Sequence, residues 1–483
     1  MNKRMILYLL GNILMMLAGF MLLPIATGIF YGETGYQAFL PVTVACLVGG
    51  FVITRFPPKK RTMYPKDGFV MVALCWVMIS LIGALPFVIS GQIPNYIDAI
   101  FETVSGFTTT GASILNRVES LDHSILIWRS FTHWLGGMGI LVFMLALLPF
   151  VGGESIYLLR AESPGPVVSK MVPKMRQSSM ILYSIYIGMT LLQIFLYWLG
   201  DMPWFDNLCL SFGTAGTGGF SIRSSGLSEY SPYLQTVTTV FMLLFAVNFS
   251  MYFLLLQRKL REIGRNTELR CFLGIVFAAI ALIVFNTLQA GGCFTGVRDA
   301  IHHSAFSVAS VISTTGYGTV DFSKWPAFSR TVLVCLMLCG ACAGSTGGGM
   351  KVSRVIILVK SAFAEVRKLL HPHTVNVMHM DGKRVERETV HGVQSFFVIY
   401  VGLMLLSILL VSLDNLDSAT TVTSVFSCVN NIGPGTSALI GPFGSYAALS
   451  DLSKIVLTFD MLFGRLEIFP MLILLMPSTW RRR

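Results

Sequence analysis

Four short segments of this sequence carry residue types that bind a bare cation through oxygen atoms, namely small or hydroxylated residues followed by a glycine. Each follows an apolar stretch too short to cross a bilayer, which takes roughly 20 residues as a helix. We call these segments site loops 1 to 4. In chain order they are Thr109, Thr110 and Gly111; Thr217, Gly218 and Gly219; Thr314, Thr315 and Gly316; and Asn431, Ile432 and Gly433. One such element alone is typical of a turn, but four copies indicate four parts of one site around a shared axis.

The site loops favour cation binding for reasons of backbone chemistry. Non-helical backbone survives at membrane depth only where it is buried in protein or lines water. A ring of backbone carbonyls can replace the hydration shell of an alkali cation, and glycine tolerates the backbone angles that such a ring requires. The hydroxyls of Thr110 and Thr315 can add oxygen ligands without adding charge. The negative C-terminal ends of the short helices before the loops also favour a cation.

The composition identifies the class of protein. The chain has 483 residues, of which 54% are hydrophobic and 12% charged, whereas soluble proteins average about 25% charged residues. The sequence therefore predicts an all-α integral membrane protein. The first apolar run, residues 5–30, is longer than that of a signal peptide, so we expect it to be a retained helix. The nine cysteines show no spacing typical of disulfides or zinc, which favours a packing role.

The basic residues predict the orientation in the membrane. Lysine and arginine cluster in alternate connections, at 55–66, 160–176, 258–270, 360–387 and 481–483. This positive-inside pattern places both termini in the cytoplasm and all four site loops on the outer side. It also accounts for the net charge of +11 without a nucleic-acid partner. The longer inner connections, 152–179, 258–270 and 360–392, are predicted to be cytoplasmic loops or short surface helices.

The chain divides into an N-terminal helical pair and four repeats. Each repeat is predicted to contain a spanning helix, a short helix, a site loop and a returning helix, giving ten full crossings and four half-crossings. The predicted boundaries are 1–62 for the pair and 63–165, 166–262, 263–375 and 376–483 for repeats 1 to 4.

Three acidic residues lie on the short helices of repeats 1 and 2. Asp98 and Asp206 lie near the starts of these helices, where they fit helix N-caps better than ion ligands. Glu102 allows two interpretations, because it could concentrate cations near the site or bind backbone groups.

The returning helix of repeat 3 is interrupted by five glycines within residues 340–349. Each glycine disfavours a helix by about 1 kcal/mol relative to alanine, so we predict an unwound loop facing the water path. A phosphate-binding loop is the alternative, but Met350 stands where that motif requires lysine directly after Gly349. We instead expect a flexible constriction below the cation site, with Lys351 at its inner mouth, where it could also extend towards the membrane surface. The predicted gate residues on this loop are Gly344, Ser345, Thr346, Gly347, Gly348, Gly349 and Lys351.

Arg465 is a charged residue inside an apolar segment, which makes it a functional candidate. Asp460 and Glu467 are not at the spacing that would let them pair with it on a helix. We therefore expect Arg465 to bind carbonyls of residues 344–349 and to act in gating, the alternative being a purely structural buried arginine. Asp460 and Glu467 are the carboxylates that an ion-coupled transporter would need.

Two further features have simpler interpretations. His371, His373 and His379 could bind a metal, but a solvated loop is the favoured interpretation. Residues 134–139, which include three glycines, indicate close helix packing.

Six motifs give this sequence a resemblance to a known family. They are Gly-Phe-Thr-Thr-Thr-Gly-Ala at 106–112, His-Trp-Leu-Gly-Gly-Met-Gly at 133–139, Gly-Gly-Phe-Ser at 218–221, Cys-Ala-Gly-Ser-Thr-Gly-Gly-Gly-Met-Lys at 342–351, Asn-Asn-Ile-Gly-Pro-Gly at 430–435 and Met-Leu-Phe-Gly-Arg-Leu-Glu at 461–467. The chain resembles the TrkH/TrkG potassium-uptake subunits of the bacterial Trk/Ktr/HKT superfamily over its whole length, including the extra N-terminal pair. The resemblance implies a K+-channel-like pseudo-tetramer made from one chain. It also implies a homodimer in the inner membrane with a cytoplasmic ring of TrkA-type nucleotide-binding regulatory subunits.

The resemblance also assigns roles to residues. It matches the filter glycines to Gly111, Gly219, Gly316 and Gly433, the intramembrane gate to residues 344–349, and the gate-proximal arginine to Arg465. K+ is the transported ion, and no organic cofactor is expected. A serine at the position of Gly111 goes with Na+ permeation in plant relatives. We expect K+ to be held at Thr109, Thr110, Gly218, Thr314, Thr315 and Ile432.

Two points qualify these expectations. Gly218 and Ile432 replace the threonine that precedes the glycine in the other two loops, so a strictly four-fold filter is not expected. The alternative function is a secondary symporter coupling K+ to H+ or Na+ through the same pore. A membrane enzyme lacks support, because no nucleophile and base form a recognisable constellation in the sequence.

Overall fold

A broken helix and a straight helix form the N-terminal pair. In the computed structural model, which describes residues 1–58, 64–137, 139, 175–291, 293–294, 296–371 and 378–480, these are α1 (Lys3–Phe20), α2 (Leu22–Tyr31) and α3 (Phe39–Thr54). Helix α1 packs along α3. Gly50 permits the close approach, since a Cβ there would lie 2.7 Å from the carbonyl oxygen of Gly11. The predicted pair is confirmed.

The order of long helix, short helix, site loop and returning helix then occurs four times. In repeat 1 the helices are α4 (Pro65–Gly83), α5 (Leu85–Ile89), α6 (Tyr96–Phe107) and α7 (His123–Gly137). In repeat 2 they are α8 (Met175–Leu199), α9 (Trp204–Gly216), α10 (Pro232–Ala246), α11 (Phe249–Leu256) and α12 (Leu260–Arg265). In repeat 3 they are α13 (Thr267–Ala290), α14 (Val297–Ile312), α15 (Ala327–Cys339) and α16 (Val352–Leu370). In repeat 4 they are α17 (Arg387–Val411), α18 (Ser418–Val429), α19 (Asp451–Arg465), α20 (Phe469–Leu475) and α21 (Pro477–Trp480).

The four short helices, α6, α9, α14 and α18, lie at the centre of the molecule. Their last turns are buried and lead directly into the site loops. The long helices surround them and expose large apolar side chains outward, among them Phe277 and Leu409, each 68% exposed. Such side chains are typical of a surface that faces lipid.

The returning helices of repeats 2, 3 and 4 are broken; the break in repeat 3 was predicted, whereas those in repeats 2 and 4 differ from the continuous crossings expected. Helices α10 and α11 meet at an angle of 93°, α15 and α16 are separated by residues 340–351, and α19 and α20 by residues 466–468. In the described part of the chain, six helical stretches are long and apolar enough to cross a membrane, two of them made of consecutive helices (α1 with α2, and α4 with α5). The number is seven if the bent pair of α10 and α11 is one span. The count of ten crossings stays a prediction, and the described returning helices of repeats 2, 3 and 4 contain non-helical breaks.

Asp98 and Asp206 are not N-caps, which corrects the expectation for both. Each is the third residue of its short helix. The cap of α6 is Asn95, whose side chain accepts a hydrogen bond from the amide of Ile97. Asp98 instead pairs with Lys454 of repeat 4 at 2.7 Å. Asp206 accepts a hydrogen bond from the Tyr230 hydroxyl at 2.7 Å, so both carboxylates tie elements together near a positive helix end.

The inner connections are only partly as predicted. Helix α12 is the expected short helix within 258–270, but α16 extends into the connection predicted at 360–392. A small antiparallel hairpin, β1 (His379–Met380) with β2 (Lys383–Arg384), was not predicted. Most of the 152–179 connection and the predicted boundaries at 62, 165 and 375 lie outside the described residues, and the boundary at 262 falls within α12.

Candidate functional site

The backbone of the four site loops has the same conformation in every repeat. The residue two before the glycine is in the left-handed region, although it is never glycine: φ is 55° at Thr109, 54° at Thr217, 61° at Thr314 and 54° at Asn431. The loop glycines are left-handed too, with φ of 78° at Gly111, 81° at Gly219, 86° at Gly316 and 100° at Gly433. Left-handed threonine is strained, and here the strain occurs at equivalent positions.

One backbone hydrogen bond fixes each site loop to the end of its short helix. The amide of the residue before the loop glycine donates to the carbonyl five residues earlier. The distances are 2.9 Å from Thr110 to Ser105, 2.8 Å from Gly218 to Gly213, 2.9 Å from Thr315 to Ser310 and 2.9 Å from Ile432 to Ser427. The four loops are therefore four copies of one local structure, despite their different side chains.

The site loops form a closed ring in chain order. A Cβ added to a loop glycine would overlap the carbonyl oxygen that precedes the glycine of the next loop. These pairs are Gly111 with Gly218, Gly219 with Thr315, Gly316 with Ile432, and Gly433 with Thr110. The structure thus brings together all twelve residues predicted for the filter.

The carbonyl oxygens of Thr110, Gly218, Thr315 and Ile432 are buried in this ring. Within the described residues, no backbone or side-chain donor is hydrogen-bonded to any of them. Buried carbonyls are nearly always paired, so these four carbonyls are oxygens that could bind a cation.

The threonine hydroxyls already have protein partners. Thr110 Oγ1 lies 2.7 Å from Thr108 Oγ1, and Thr315 Oγ1 lies 2.7 Å from Ser313 Oγ. Asn431 Nδ2 also donates to Thr110 Oγ1 at 2.9 Å, which joins site loops 4 and 1. The Thr110 hydroxyl thus connects two loops, whereas that of Thr315 bonds within its own segment. Both hydroxyls have protein partners, and in the described part of the chain the four carbonyls do not.

His133 explains why site loop 2 has a glycine where loops 1 and 3 have threonine. The imidazole is fully buried, and a Cβ at position 218 would overlap its ring. The ring also stacks on Phe220 with 4.2 Å between centroids. The departure from symmetry therefore concerns side chains, while the backbone angles are similar in all four loops.

Glu102 is buried and paired, so it does not face the ion path. Its Oε1 lies 2.6 Å from Arg129 Nη2, and its Oε2 accepts from the amide of Ile114 at 3.0 Å. Arg129 also donates to the carbonyl of Ser221 at 3.3 Å and lies over the Phe220 ring. Of the two interpretations of Glu102, the structure supports the one in which it binds protein groups. The ion pair joins the segments that follow site loops 1 and 2.

The interrupted segment, residues 340–351, which we call the glycine loop, lies against site loops 3 and 4. The amide of Gly348 donates to Thr314 Oγ1 at 2.6 Å. A Cβ at Gly347 would lie 2.8 Å from the Ser313 carbonyl, and one at Gly348 2.5 Å from the Asn430 carbonyl. The predicted unwound loop is thus present, directly below the ring.

Lys351 is buried and does not extend towards the membrane surface. It is 3% exposed, has a φ of 74°, and its Nζ donates to the carbonyl of Gly347. The reason is that the chain reverses at Lys351, so that its side chain folds back and closes the glycine loop.

Arg465 binds three different parts of the site. Its Nη1 donates to the Thr346 carbonyl at 2.9 Å and to Thr109 Oγ1 at 3.3 Å, and its Nη2 donates to the Gly136 carbonyl. The expected bond to the carbonyls of residues 344–349 is therefore present. One guanidinium links repeat 1, the glycine loop and repeat 4.

The remaining candidates lie away from the ring. Glu467 pairs with Arg354, and Asp460 accepts from Ser407 Oγ at 2.7 Å on the side of α19 that faces α17. His373 lies outside the described residues, and among those described no cluster of potential metal ligands occurs. None of the nine cysteines is in a disulfide.

The glycines predicted for close packing do bring backbones together. A Cβ at Gly136 would overlap the carbonyl of Phe107, and one at Gly137 would lie 2.5 Å from Gly216 Cα. Helix α7 therefore touches the ends of two short helices.

Sequence reasoning missed Arg129, His133 and the side chain of Asn431. The rule that singled out Arg465, a charge within an apolar segment, also applies to Arg129. No sequence signal marks His133 as the neighbour of Gly218, because the two residues are far apart in the chain.

Comparisons with known proteins identify the family of this chain. The family model "TrkH: Cation transport protein" matches residues 37–481. The Trk system potassium uptake protein TrkH of Escherichia coli K12 is 33% identical over 487 residues and all of both chains. TrkG of the same organism is 32% identical over 99% of both chains. The crystal structure of the potassium transporter TrkH from Vibrio parahaemolyticus superposes with a TM-score of 0.88 at 31% identity over both full chains. This chain therefore belongs to the TrkH family of cation transport proteins.

Proposed function

We propose that this protein takes up K+ through a filter formed by site loops 1 to 4, as a K+-channel-like pseudo-tetramer made from one chain. Its relatives are named as potassium uptake proteins. The observation that carries the proposal is the closed ring of four buried carbonyls, at Thr110, Gly218, Thr315 and Ile432, which lack protein donors in the described part of the chain.

The ring suits a dehydrated K+ ion because neutral oxygens replace its hydration shell without trapping it. The four short helices end at the ring, so their partial negative charges stabilise a cation there. The backbone carbonyls of Thr109, Thr110, Gly218, Thr314, Thr315 and Ile432 supply the ligands. The paired hydroxyls of Thr110 and Thr315 hold these carbonyls in place.

The gate in this proposal is the part of the glycine loop at residues 344–349, closed by Lys351 and held by Arg465. Three features support it: the loop lies directly below the ring, it consists largely of glycine, and Arg465 binds its Thr346 carbonyl. A positive charge beside the path also disfavours K+ in the resting arrangement. Opening requires the loop to leave site loops 3 and 4.

Ion coupling is the alternative to a gated channel. A symporter would require a carboxylate that exchanges its own ion, and Glu467 is already paired with Arg354. Asp460 is 1% exposed and, within the described residues, its Oδ2 has no hydrogen-bond partner. Asp460 is therefore the residue on which the coupled alternative depends.

The setting of the protein follows from its family and its charges. We place it in the bacterial inner membrane with both termini in the cytoplasm, as a homodimer surrounded by lipid. A cytoplasmic TrkA-type nucleotide-binding ring regulates it, no organic cofactor resides on this chain, and nucleic acid is not a partner.

Single-channel recording from purified protein in planar bilayers, with and without the regulatory ring, tests this function. Discrete K+ currents that reverse at the K+ equilibrium potential are expected, with an opening probability set by the ring. K+ movement that shifts with an imposed pH gradient, and loses that shift in Asp460→Asn, would favour the coupled transporter. Absence of any K+ movement by folded protein contradicts both.

A further inference from the structure

One buried carboxylate accepts hydrogen bonds from backbone amides on both sides of the glycine-rich residues 344–349. Glu268, at the start of α13, accepts hydrogen bonds at Oε1 from the amide of Ala343 at 2.7 Å and from the amide of Ser353 at 3.1 Å. These two amides are ten residues apart in the chain, on either side of the glycine-rich turn. Glu268 itself is only 5% exposed.

The break in repeat 2 pairs with the same loop through its backbone. The amide of Cys342 donates to the Ala246 carbonyl at 3.1 Å, and the amide of Phe249 donates to the Gly344 carbonyl at 3.0 Å. Groups left unpaired where α10 and α11 separate are therefore satisfied by the glycine loop, as membrane-embedded backbone requires. These bonds fix the first arm of the loop. The second arm, at Ser353, is attached to the first through Glu268.

The position of Glu268 is specific to the interrupted helix. Glu388 is the second residue of α17, as Glu268 is of α13, yet Glu388 is exposed. Repeat 4 has no glycine loop for it to hold. Burial of a carboxylate is costly unless hydrogen bonds compensate, and the two loop amides provide that compensation.

We propose that Glu268 is a positioning residue for the gate and that it holds the glycine loop in its closed arrangement. The inference rests on the proposed function of that loop. A carboxylate forms stronger hydrogen bonds with amides than a neutral oxygen does. Loss of Glu268 leaves two buried amides without an acceptor, and a loop rich in glycine has few side-chain contacts to replace them. The two arms then separate and the loop leaves the ring.

The test compares Glu268→Ala, Glu268→Gln and the matched control Glu388→Ala in purified, full-length protein. K+ flux into proteoliposomes is measured without a regulator, together with the K+/Na+ permeability ratio and hydrogen exchange of peptides covering residues 343–353. For Glu268→Ala we expect basal flux to rise on the order of ten-fold, with faster exchange in the loop. The permeability ratio stays at its wild-type value, because the backbone hydrogen bonds that fix each site loop to its short helix do not involve the glycine loop. For Glu268→Gln we expect basal flux and loop exchange between those of wild type and Glu268→Ala, because the glutamine oxygen still accepts hydrogen bonds. For Glu388→Ala we expect both to equal the wild-type values.

Two results would overturn the proposal. Loop exchange in Glu268→Ala equal to that in Glu388→Ala means that the carboxylate does not hold the loop. Faster exchange without a rise in flux means that the hydrogen bonds of Glu268 do not set the closed arrangement. Arg465→Ala, measured alongside, separates the gating role of the glycine loop from the positioning role of Glu268. If Arg465→Ala raises flux and Glu268→Ala does not, the loop is still the gate but Glu268 does not hold it. If loop exchange rises in both variants and flux in neither, the gate itself is wrong.

Discussion

Arg465 donates a hydrogen bond to the carbonyl of Thr346 at 2.9 Å, which connects the end of α19 to the glycine loop. The same guanidinium reaches Thr109 of site loop 1. The filter and the proposed gate therefore share one side chain, so that movement of the loop and the charge beside the ion path are coupled.

Arg465→Ala should raise basal K+ flux. A hydrogen bond to a charged group contributes about 1.5–3 kcal/mol, and its loss shifts a closed-to-open equilibrium by roughly ten- to a hundred-fold. Rubidium uptake into proteoliposomes without a regulator measures this. Arg465→Lys, which keeps the charge but not the forked geometry, should give a smaller rise. Folded Arg465→Ala protein that conducts nothing would refute the gating role.

The buried pair of Glu102 and Arg129 should matter more to stability than any surface ion pair. Removing one partner of a buried pair costs about 3–5 kcal/mol, so Arg129→Met should unfold at a markedly lower temperature. The double variant Glu102→Gln/Arg129→Met should recover part of that loss, because no unpaired charge remains. Thermal unfolding in detergent measures both.

Arg223→Met is the control for that experiment. Arg223 pairs with Glu229 at 2.7 Å with its side chain 37% exposed, and exposed pairs contribute at most about 1 kcal/mol. Equal unfolding temperatures for Arg129→Met and Arg223→Met would contradict the structural role given to the buried pair.

Asn431 should contribute to the ring both through its backbone and through its side chain. Asn431→Gly keeps the left-handed backbone and removes the side-chain hydrogen bonds to Thr110 Oγ1 and to the Met461 carbonyl. Asn431→Ala loses the same bonds and adds strain of about 1–2 kcal/mol. We expect stabilisation by K+, measured as the rise in unfolding temperature with K+ concentration, to weaken modestly in the first and strongly in the second. Wild-type K+ stabilisation in Asn431→Ala would show that site loop 4 does not help to form the ion site.

The sequence predicts the site best where glycine is required. The four loop glycines and the interrupted helix could be predicted because glycine is the residue favoured where the backbone is left-handed or unwound. Thr109, Thr217 and Thr314 also have left-handed backbone angles. A threonine in the sequence does not predict such angles, because threonine rarely adopts them. Their conformation depends on the ring that surrounds them.

The break between α10 and α11 could not be predicted for a different reason. Residues 246–249 contain neither glycine nor proline, and the polar Asn248, which caps α11, does not by itself predict a bend of 93°. The groups freed at Ala246 and Phe249 bind Cys342 and Gly344, almost a hundred residues later in the chain. Long-range backbone pairing of this kind leaves no mark in the sequence near the break. The cap predictions at Asp98 and Asp206 failed because an acidic residue in the first turn of a helix has much the same signature as a cap.

The central claim is that the four site loops form one K+ filter, and bi-ionic reversal potentials of Gly111→Ser test it most directly. Gly111 has a φ of 78°, and a Cβ there overlaps the Gly218 carbonyl, whereas Gly91 has a φ of 72° with open space around it. Gly91→Ser therefore introduces backbone strain similar to that of Gly111→Ser without contacting the ring. We predict that the K+/Na+ permeability ratio falls towards one in Gly111→Ser and stays at the wild-type value in Gly91→Ser. An unchanged ratio in a conducting Gly111→Ser protein would contradict the account.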